Sequence, residues 1–430
     1  MMIKKIITGL VLFSMFFATS VLYAEDRVYL DISSSKTKKI KFAVPWFVNG
    51  DMPGQPQKFG RELANDLANA LKFHGIISVL PASEYGGKQA ANLRAFDVDY
   101  SVLGSYKISG GSIRLEMRLM EVTSGQMLMG KSYQGKTGQH LSMLLKFCDK
   151  VIYELTGKNG IASTQVAFIS STKGAKELFL TDILGKKVRQ VTRHKNLVVS
   201  PRFTPDGRYL SYTSYHSRKQ NLYITDLRQN KTTTALSRRK GMNLAPAWSP
   251  DGGSFILTLS ERGNPDLFLL DRTGRIINQL TSGAGNNVSP SYSPDGKKIV
   301  FVSDRSGKPQ IYVMDIATRK TRRLTFDSYE NSEPSWSPAE DLIVYSSLRD
   351  GVYQLCTIKP SADAMPNQIT SDLSHHESAS WSPDGNQIIF SRREGKSYKI
   401  YGMMKDGSYQ RRLFDFPGSQ RYPRWSYNYK

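Results

Sequence analysis

Two groups of side chains in this sequence are of types that could do chemistry. The first is a set of aspartates in repeated Ser/Thr-Pro-Asp-Gly segments: Asp206, Asp251, Asp295 and Asp384. Paired carboxylates of this kind serve general acid and base catalysis. The second is His375-His376-Glu377, the densest cluster of metal-ligand side chains in the chain. An aspartate that recurs in four of the repeats serves the local turn, and adjacent histidines in one loop seldom share a metal. We therefore predict neither catalytic residues nor a metal site.

The short motifs of common enzymes are also missing from the sequence. It contains no Gly-x-Ser-x-Gly, His-Glu-x-x-His or Cys-x-x-Cys segment. We therefore expect a protein that is not an enzyme, that needs no cofactor and that binds neither nucleic acid nor a small-molecule substrate.

The feature that must position these side chains is a repeat. An aromatic residue opens each copy, and these residues lie 44 or 45 positions apart: Phe203, Trp248, Tyr292, Trp336, Trp381 and Trp425. Self-similarity at a fixed period of this size indicates units that cannot bury their apolar faces alone. Each period predicts four short strands, with a Pro-Asp-Gly turn after the first, which is typical of a β-propeller blade.

The phase of the repeat predicts how the ring closes. The second strand first occurs at 166–170 with no aromatic strand before it, whereas the last aromatic strand, 423–427, has nothing after it. Both ends are explained if the C-terminal strand completes the first blade, which removes two free sheet edges. We therefore predict a six-bladed propeller over 161–430, closed by the C-terminal strand.

The N-terminal part has a different organisation. Residues 1–24 have a basic start, an apolar run and a small residue before Glu25, which predicts a cleaved signal peptide; an uncleaved anchor is the alternative. Residues 25–160 alternate strands and helices. Apolar stripes predict helices over 59–73 and 141–155, the second of them ended by Gly157. The predicted fold class is a small α/β domain with a mixed sheet, followed by an all-β six-bladed propeller.

Composition agrees with a secreted protein of two domains. The two cysteines, Cys148 and Cys356, fall in different predicted domains, so we expect both to be buried thiols without a disulfide. The formal net charge is +22. Such a balance fits anionic polymers or acidic partners. The basic residues are scattered, however, and this pattern favours a solvated surface with basic loops.

Propeller geometry predicts which surface recognises a partner. The loops that lead into the first strand of each blade emerge beside the channel, on the face opposite the Pro-Asp-Gly turns, and they do not repeat. Their mixture of amide, imidazole, phenol, carboxylate and thioether groups suits a polypeptide better than a nucleotide. The candidate binding residues on these loops are Met242, Asn243, Ala245, Asn287, Val288, Ser289, Glu330, Asn331, Glu333, His375, His376 and Tyr422.

The repeats also resemble a known family. Pro-x-Trp-Ser-Pro-Asp-Gly, Ile-Tyr-Val-Met-Asp and Arg-Arg-Leu-Thr segments occur together with Tyr-Glu-Leu-Thr-Gly-Lys-Asn-Gly at 153–160 and Arg-Val-Tyr-Leu-Asp at 27–31. This combination is similar to the TolB family, the periplasmic propeller proteins of the Tol-Pal envelope system. The resemblance covers essentially the whole chain after the predicted signal peptide.

The resemblance implies a periplasmic, non-enzymatic scaffold that supports outer-membrane integrity and cell division. It implies binding of the peptidoglycan-associated lipoprotein Pal at the channel mouth, around Met242, Ala245 and Val288. It also implies binding of the inner-membrane protein TolA through a segment at about 25–35. The residues of that segment that we single out are Glu25, Asp26, Arg27, Val28 and Tyr29.

Some alternatives stay open at this level. The repeat by itself also occurs in peptidase-associated propellers, so a propeller accessory of a hydrolase is the second hypothesis. The resemblance allows a calcium ion in the channel, although the spacing assigns no ligands to it. It also allows outer-membrane proteins as further partners. We expect a monomer.

Overall fold

The computed structural model describes residues 39–52, 58–172, 174–228, 233–261 and 263–427. The predicted signal peptide and the predicted TolA-binding segment lie outside these ranges. None of the helices in these ranges is long and apolar enough to span a membrane.

The N-terminal domain is one mixed sheet covered by two helices. Its elements are β1 (Ile40–Ala43), β2 (Val48–Asn49), α1 (Lys58–Phe73), β3 (Ile77–Leu80), a 3₁₀ turn (Leu93–Phe96), β4 (Tyr100–Ser109), β5 (Ser112–Glu121), β6 (Met127–Lys136), a second 3₁₀ turn (Thr137–Gln139) and α2 (His140–Thr156). The strand order is β3-β1-β4-β5-β6, with β2 also paired to β4. The pairs β1/β3 and β1/β4 are parallel, whereas β4/β5 and β5/β6 are antiparallel. The predicted mixed sheet is therefore confirmed.

Both helices follow from their apolar stripes. In α1, Leu63, Leu67 and Leu71 are buried against the sheet, as the i, i+4 spacing requires. Helix α2 ends where Gly157 takes a φ of 67° and its N–H donates to the Tyr153 carbonyl at 2.8 Å. Glycine adopts this left-handed conformation at little cost, which is why the helix stops there.

The rest of the chain forms six four-stranded sheets, which we number as blades 1 to 6. Blades 1 to 3 contain the strands Ser419–Trp425, Gln165–Thr172, Ala175–Asp182 and Arg189–Gln190; Val198–Phe203, Tyr209–Ser214, Asn221–Asp226 and Thr233–Ser237; and Asn243–Trp248, Ser254–Leu259, Asp266–Asp271 and Ile276–Gln279. Blades 4 to 6 contain the strands Asn287–Tyr292, Lys298–Ser303, Gln310–Asp315 and Thr321–Arg323; Asn331–Trp336, Ile343–Arg349, Val352–Ile358 and Asn367–Gln368; and His376–Trp381, Gln387–Glu394, Ser397–Met404 and Arg411–Arg412. The first strand of each blade, here called its inner strand, contacts the inner strands of both neighbouring blades, so the ring is closed.

Blade 1 is assembled from both ends of the propeller. The C-terminal inner strand pairs antiparallel with Gln165–Thr172, with Trp425 opposite Val166. The pairing continues past the strand, because Gln165 and Ser426 exchange two hydrogen bonds of 2.8 Å each. The predicted circular closure is confirmed.

The Pro-Asp-Gly aspartates hold their own turns. In blade 4 the Asp295 carboxylate accepts hydrogen bonds from the Ser293 hydroxyl at 2.6 Å and from the Lys297 N–H at 3.0 Å. These bonds lower the pKa of Asp295, the Ser293 hydroxyl having the largest effect. Gly296 completes the turn with a φ of 71°. The carboxylate is thus engaged locally, in agreement with its recurrence in the sequence.

The two domains share one apolar core, and the end of α1 anchors it. The Phe73 carbonyl accepts hydrogen bonds from the Gln387 amide and from the Arg411 guanidinium of blade 6, both at 2.9 Å. The Phe73 ring lies edge-on to Trp425 of the closing strand, with centroids 5.9 Å apart. A cation at a helix C-terminus is favourable because it faces the negative end of the helix dipole. The domain seam therefore depends on the closed ring.

His74 links the same helix to the segment that connects the domains. Its Nδ1 lies 3.0 Å from the Ala70 carbonyl, and its Nε2 accepts the Ile161 N–H at 3.2 Å. Only the neutral tautomer with a proton on Nδ1 makes both bonds. Burial lowers the pKa of His74, while the carboxylates of Asp149 and Asp384 oppose the shift. The folded protein therefore holds this imidazole neutral.

We predict that deleting residues 421–430 destabilises the whole propeller. The deletion removes Trp425, which is 5% exposed, and removes the partners of Val166, Ala167 and Ile169 at the edge of the strand Gln165–Thr172. Loss of a buried Trp side chain alone costs about 3 to 5 kcal/mol. We expect the calorimetric unfolding temperature to fall by at least about 6 °C, given about 2 °C per kcal/mol for a domain of this size. Deletion of residues 428–430 alone is the control; equal stability of the two truncated proteins would contradict the closure argument.

We predict that His74 makes the protein less stable in acid. Its folded pKa lies below 6.5, so the unfolded chain binds the proton more readily. The contribution of the neutral imidazole is complete above pH 6.5 and is lost as the pH falls through the folded pKa. Urea unfolding at pH 7.5 and pH 5.0 should show a larger loss in the wild type than in His74→Gln. The matched control is His140→Gln, at a half-buried histidine of the same domain. The same pH dependence in wild type and His74→Gln would reject this role.

Candidate protein-binding surface at the channel mouth

The mouth face consists of the loops that lead into the inner strands together with the hairpins that join the second and third strands. Backbone hydrogen bonds connect the two sets. The Asp304 N–H donates to the Asn286 carbonyl at 3.3 Å, and the Leu348 N–H donates to the Glu330 carbonyl at 2.9 Å. A third bond joins the Arg393 N–H to the His375 carbonyl at 2.9 Å. The candidate loops are therefore held on a rigid frame.

Every inner strand bulges at the same position, near the mouth. The ladder register shifts in all six inner strands, and the residue three positions before the aromatic of each strand has a φ between 51° and 62°. These residues are Ser200, Ala245, Ser289, Glu333, Ser378 and Tyr422. Non-glycine residues in this conformation cost about 1 to 3 kcal/mol each and persist only when the surrounding structure imposes it. Four of the candidate residues, Ala245, Ser289, Glu333 and Tyr422, thus belong to one strained ring of backbone.

Four other candidates are fully buried. Asn243, Asn287, Asn331 and His376 each have 0% exposure. The first three lie at the equivalent position of successive inner strands and use their side chains within the ring. The Asn287 amide donates to the Asp266 carboxylate at 2.9 Å, and the Asn331 amide donates to the Gln310 side chain at 2.8 Å. These side chains join one blade to the next and do not reach the surface.

The two adjacent histidines point to different partners. His375 accepts the Tyr353 N–H on Nδ1 at 3.3 Å. Nε2 of His376 lies 3.5 Å from the Asp372 carboxylate, and burial lowers the pKa of this imidazole. In the part of the chain that the structure describes, no group of three or more His, Cys, Asp or Glu side chains could hold a metal ion. The pair therefore does not form a shared site.

The remaining candidates form the accessible part of the mouth. Met242, Val288 and His375 are half-buried. Val288 packs its inner side against the apolar core between blades 4 and 5. The Glu330 carboxylate accepts a hydrogen bond from the Tyr353 hydroxyl. A partner would thus meet apolar side chains whose backbone is already ordered.

A basic surface that sequence reasoning missed lies at the mouth of blades 1 to 3. We call it the basic rim; its residues are Arg193, Lys195, Arg218, Lys219, Arg238 and Lys240. All six are exposed, and none of them forms an ion pair within the described ranges. Hydrogen bonds join the three loops that carry them: the Tyr215 N–H donates to the Leu197 carbonyl at 3.0 Å, and the Asn243 amide donates to the Gln220 and Arg239 carbonyls at 2.8 Å. The signal was present in the sequence as three short basic pairs, each on a predicted mouth loop.

Comparison with known proteins identifies the family. Residues 152–429 match the family described as TolB beta propeller domain. The Tol-Pal system protein TolB of Desulfotalea psychrophila is 58% identical over 403 residues, which cover 94% of this chain and 92% of that protein. The chain belongs to the TolB family.

Further comparisons agree with TolB membership. The Tol-Pal system protein TolB of Desulfosudis oleivorans is 35% identical over 59% of this chain and 60% of its own length. The crystal structure of TolB from Acinetobacter baumannii is similar with a TM-score of 0.79 and 25% identity, covering 93% of this chain and all of that one. The TolB likeness therefore includes the N-terminal domain as well as the propeller.

The mouth also carries a groove on blade 5, lined by apolar side chains and by charged ones such as Asp327, Arg349 and Asp350. Blade 5 lies opposite blade 2 in the ring of six, and so opposite the centre of the basic rim. The groove encloses about 470 Å³, and its lining includes Tyr329, Leu348, Val352 and Leu373. Leu373 is 94% exposed and Tyr329 60%. Apolar side chains so exposed around one depression are typical of protein contacts.

A half-buried carboxylate lies inside the mouth. The Glu333 side chain accepts the Ser378 N–H at 2.6 Å and the Ser378 hydroxyl at 3.0 Å. Burial raises the pKa of Glu333, and the neighbouring Glu377 raises it further. Glu333 therefore joins blades 5 and 6 and is not free to meet a partner directly.

Proposed function

We propose that the protein is a non-enzymatic scaffold of the Tol-Pal system that binds the lipoprotein Pal at the mouth face. Family membership supports assembly within that system. The observation that carries the assignment to this face is the basic rim beside the half-buried Met242 and Val288. The likeness to TolB over both domains favours a scaffold over a propeller accessory of a hydrolase.

The charge of the rim suits a partner with acidic loops. Six exposed cations without ion pairs in the described residues create a positive potential on one side of the mouth. Such a potential speeds association with an acidic surface and makes its rate depend on salt. Charges at the edge of an interface steer the encounter, whereas central apolar contacts supply most of the affinity.

The apolar contacts of the mouth complement this role. Met242 immediately precedes the inner strand of blade 3, and Val288 lies in the inner strand of the adjacent blade 4. The exposed Leu373 extends the apolar surface beside blade 5. Methionine adapts its shape to a partner, and the ordered loops around it lower the entropic cost of binding. We place the Pal contact across these three side chains, supported from below by the buried Asn243, Asn287 and Asn331.

The N-terminal segment would serve the second partner. We propose that export through a cleaved signal peptide places the mature protein in the periplasm. Its first residues, Glu25 to Tyr29 within the segment 25–35, would then bind TolA. A scaffold with two separate binding regions connects an outer-membrane lipoprotein to an inner-membrane protein. In this role it supports outer-membrane integrity and cell division.

We predict that a charge at the mouth weakens Pal binding without unfolding the ring. Val288→Glu and Met242→Glu place a carboxylate in the apolar contact, and the loss of a central contact costs about 2 kcal/mol or more. The dissociation constant for Pal, measured by calorimetry, should rise at least about 30-fold. The matched control is Ile277→Glu, which is 56% exposed on the outer strand of blade 3. Unchanged Pal binding by both mouth variants, with all unfolding temperatures equal, would reject the site.

We predict that removing residues 25–35 from the mature protein prevents capture of TolA. The propeller and its mouth are untouched by this deletion, so Pal binding should remain. The measurement is co-purification of the periplasmic domain of TolA with wild-type and shortened proteins, and Val288→Glu is the reciprocal control. TolA captured equally by the shortened protein would place its binding region elsewhere.

A further inference from the structure

A second feature of the ring lies deeper in the channel, at a position defined by the repeat. In each inner strand, the residue just before the repeated aromatic (Phe203 and its equivalents) lines the channel. Going round the ring from blade 1, these residues are Arg424, Arg202, Ala247, Ser291, Ser335 and Ser380. Four of the six are therefore small, and the two large ones are arginines in adjacent blades.

These six side chains surround a cavity of about 470 Å³. It lies toward the face of the Pro-Asp-Gly turns, since Pro205, Pro250, Pro294 and Pro383 also line it. Asn159, from the segment between the domains, and Tyr427, from the end of the described chain, complete the lining. The volume falls within the ordinary range of small-molecule sites.

The two guanidinium groups are fixed by backbone carbonyls. Nη1 of Arg424 donates to the Ser378 carbonyl at 3.0 Å and to the Pro423 carbonyl at 2.7 Å. Nη1 of Arg202 donates to the Pro201 carbonyl at 3.0 Å. These bonds engage one nitrogen of each group, so further N–H donors remain for a ligand.

The cavity has no carboxylate of its own in the described residues. Its lining includes neither Asp nor Glu, and neither arginine forms an ion pair there. Burial lowers the pKa of Arg202 to about 10, although the Glu333 carboxylate in the mouth opposes the shift. That carboxylate is already bound to Ser378. Two cations at one wall of a confined space are costly unless an anion accompanies them.

We infer that the channel cavity binds an oxyanion, either a phosphate or a carboxylate group of a small molecule. Guanidinium groups recognise such anions through paired N–H donors, with a geometry that lysine does not offer. The small side chains of blades 3 to 6 leave room for the body of the ligand. Two arginines in the cavity oppose a calcium ion at this end of the channel. The site is separate from the mouth surface and does not depend on the proposed binding of Pal.

The test compares two anions and two families of variants on the full mature protein. Inorganic phosphate and citrate are titrated by calorimetry against a chloride buffer of equal ionic strength. We expect saturable binding of at least one anion and a higher unfolding temperature in its presence. Phosphate binding alone assigns a phosphate-bearing ligand, and citrate binding alone assigns a carboxylate.

Arg202→Gln and Arg424→Gln should each lower the association constant at least tenfold. Arg118→Gln, at an exposed arginine on β5 of the N-terminal domain, should leave it unchanged.

A further variant separates loss of the site from loss of the fold. Ser335→Glu places a carboxylate inside the cavity, where it would occupy the guanidinium groups from within. It should abolish anion binding while the unfolding temperature in chloride stays equal to the wild type or rises. Absence of saturable binding to both anions in the wild type would overturn the proposal. So would an equal fall in the association constant for Arg118→Gln and for the two cavity variants.

Discussion

The pairing of the C-terminal strand with residues 165–172 is the interaction on which the rest of the structure depends. A propeller blade has an apolar face on each side, so a blade at an open end would leave one of them in water. The hydrogen bonds between Gln165 and Ser426 remove both open ends at once. The same strand places Trp425 against Phe73 of the N-terminal domain. Closure thereby fixes the ring and the position of the second domain together.

A closed ring turns small differences between repeats into functional sites. The scaffold positions are nearly uniform. The strained bulge occurs in all six inner strands, and a buried asparagine is the first residue of the inner strand in the three consecutive blades 3 to 5. Departures from that uniformity are concentrated where side chains meet solvent. Three basic loops on blades 1 to 3 make one side of the mouth cationic, and exposed apolar side chains mark blade 5 on the other side. Recognition therefore depends on the asymmetry of the loops and not on the repeat itself.

The sequence predicted the features that recur and missed those that depend on spatial neighbours. The 44-residue period, the turn aspartates and the unpaired strands at the two ends were sufficient for six blades and their closure. The same reasoning grouped Asn243 and Asn331 with surface residues, because a loop position does not reveal that the side chain folds back between blades. It also judged the basic charge to be scattered. Arg193, Arg218 and Arg238 are distant in sequence and come together only through the bonds between three loops.

The residue just before the repeated aromatic has different side chains in different blades, and these side chains line the channel. Arg424 arrives on the closing strand and becomes the neighbour of Arg202 only because blade 1 adjoins blade 2. Its guanidinium binds the Ser378 carbonyl, and the N–H of Ser378 binds Glu333 at 2.6 Å. The backbone of Ser378 thus binds a cationic side chain through its carbonyl, on the cavity side, and an anionic side chain through its N–H, on the mouth side. The opposite charges attract across it, and both side chains are half-buried. Ser378 therefore links an arginine on the cavity side to a carboxylate on the mouth side, and the strand that closes the ring supplies that arginine.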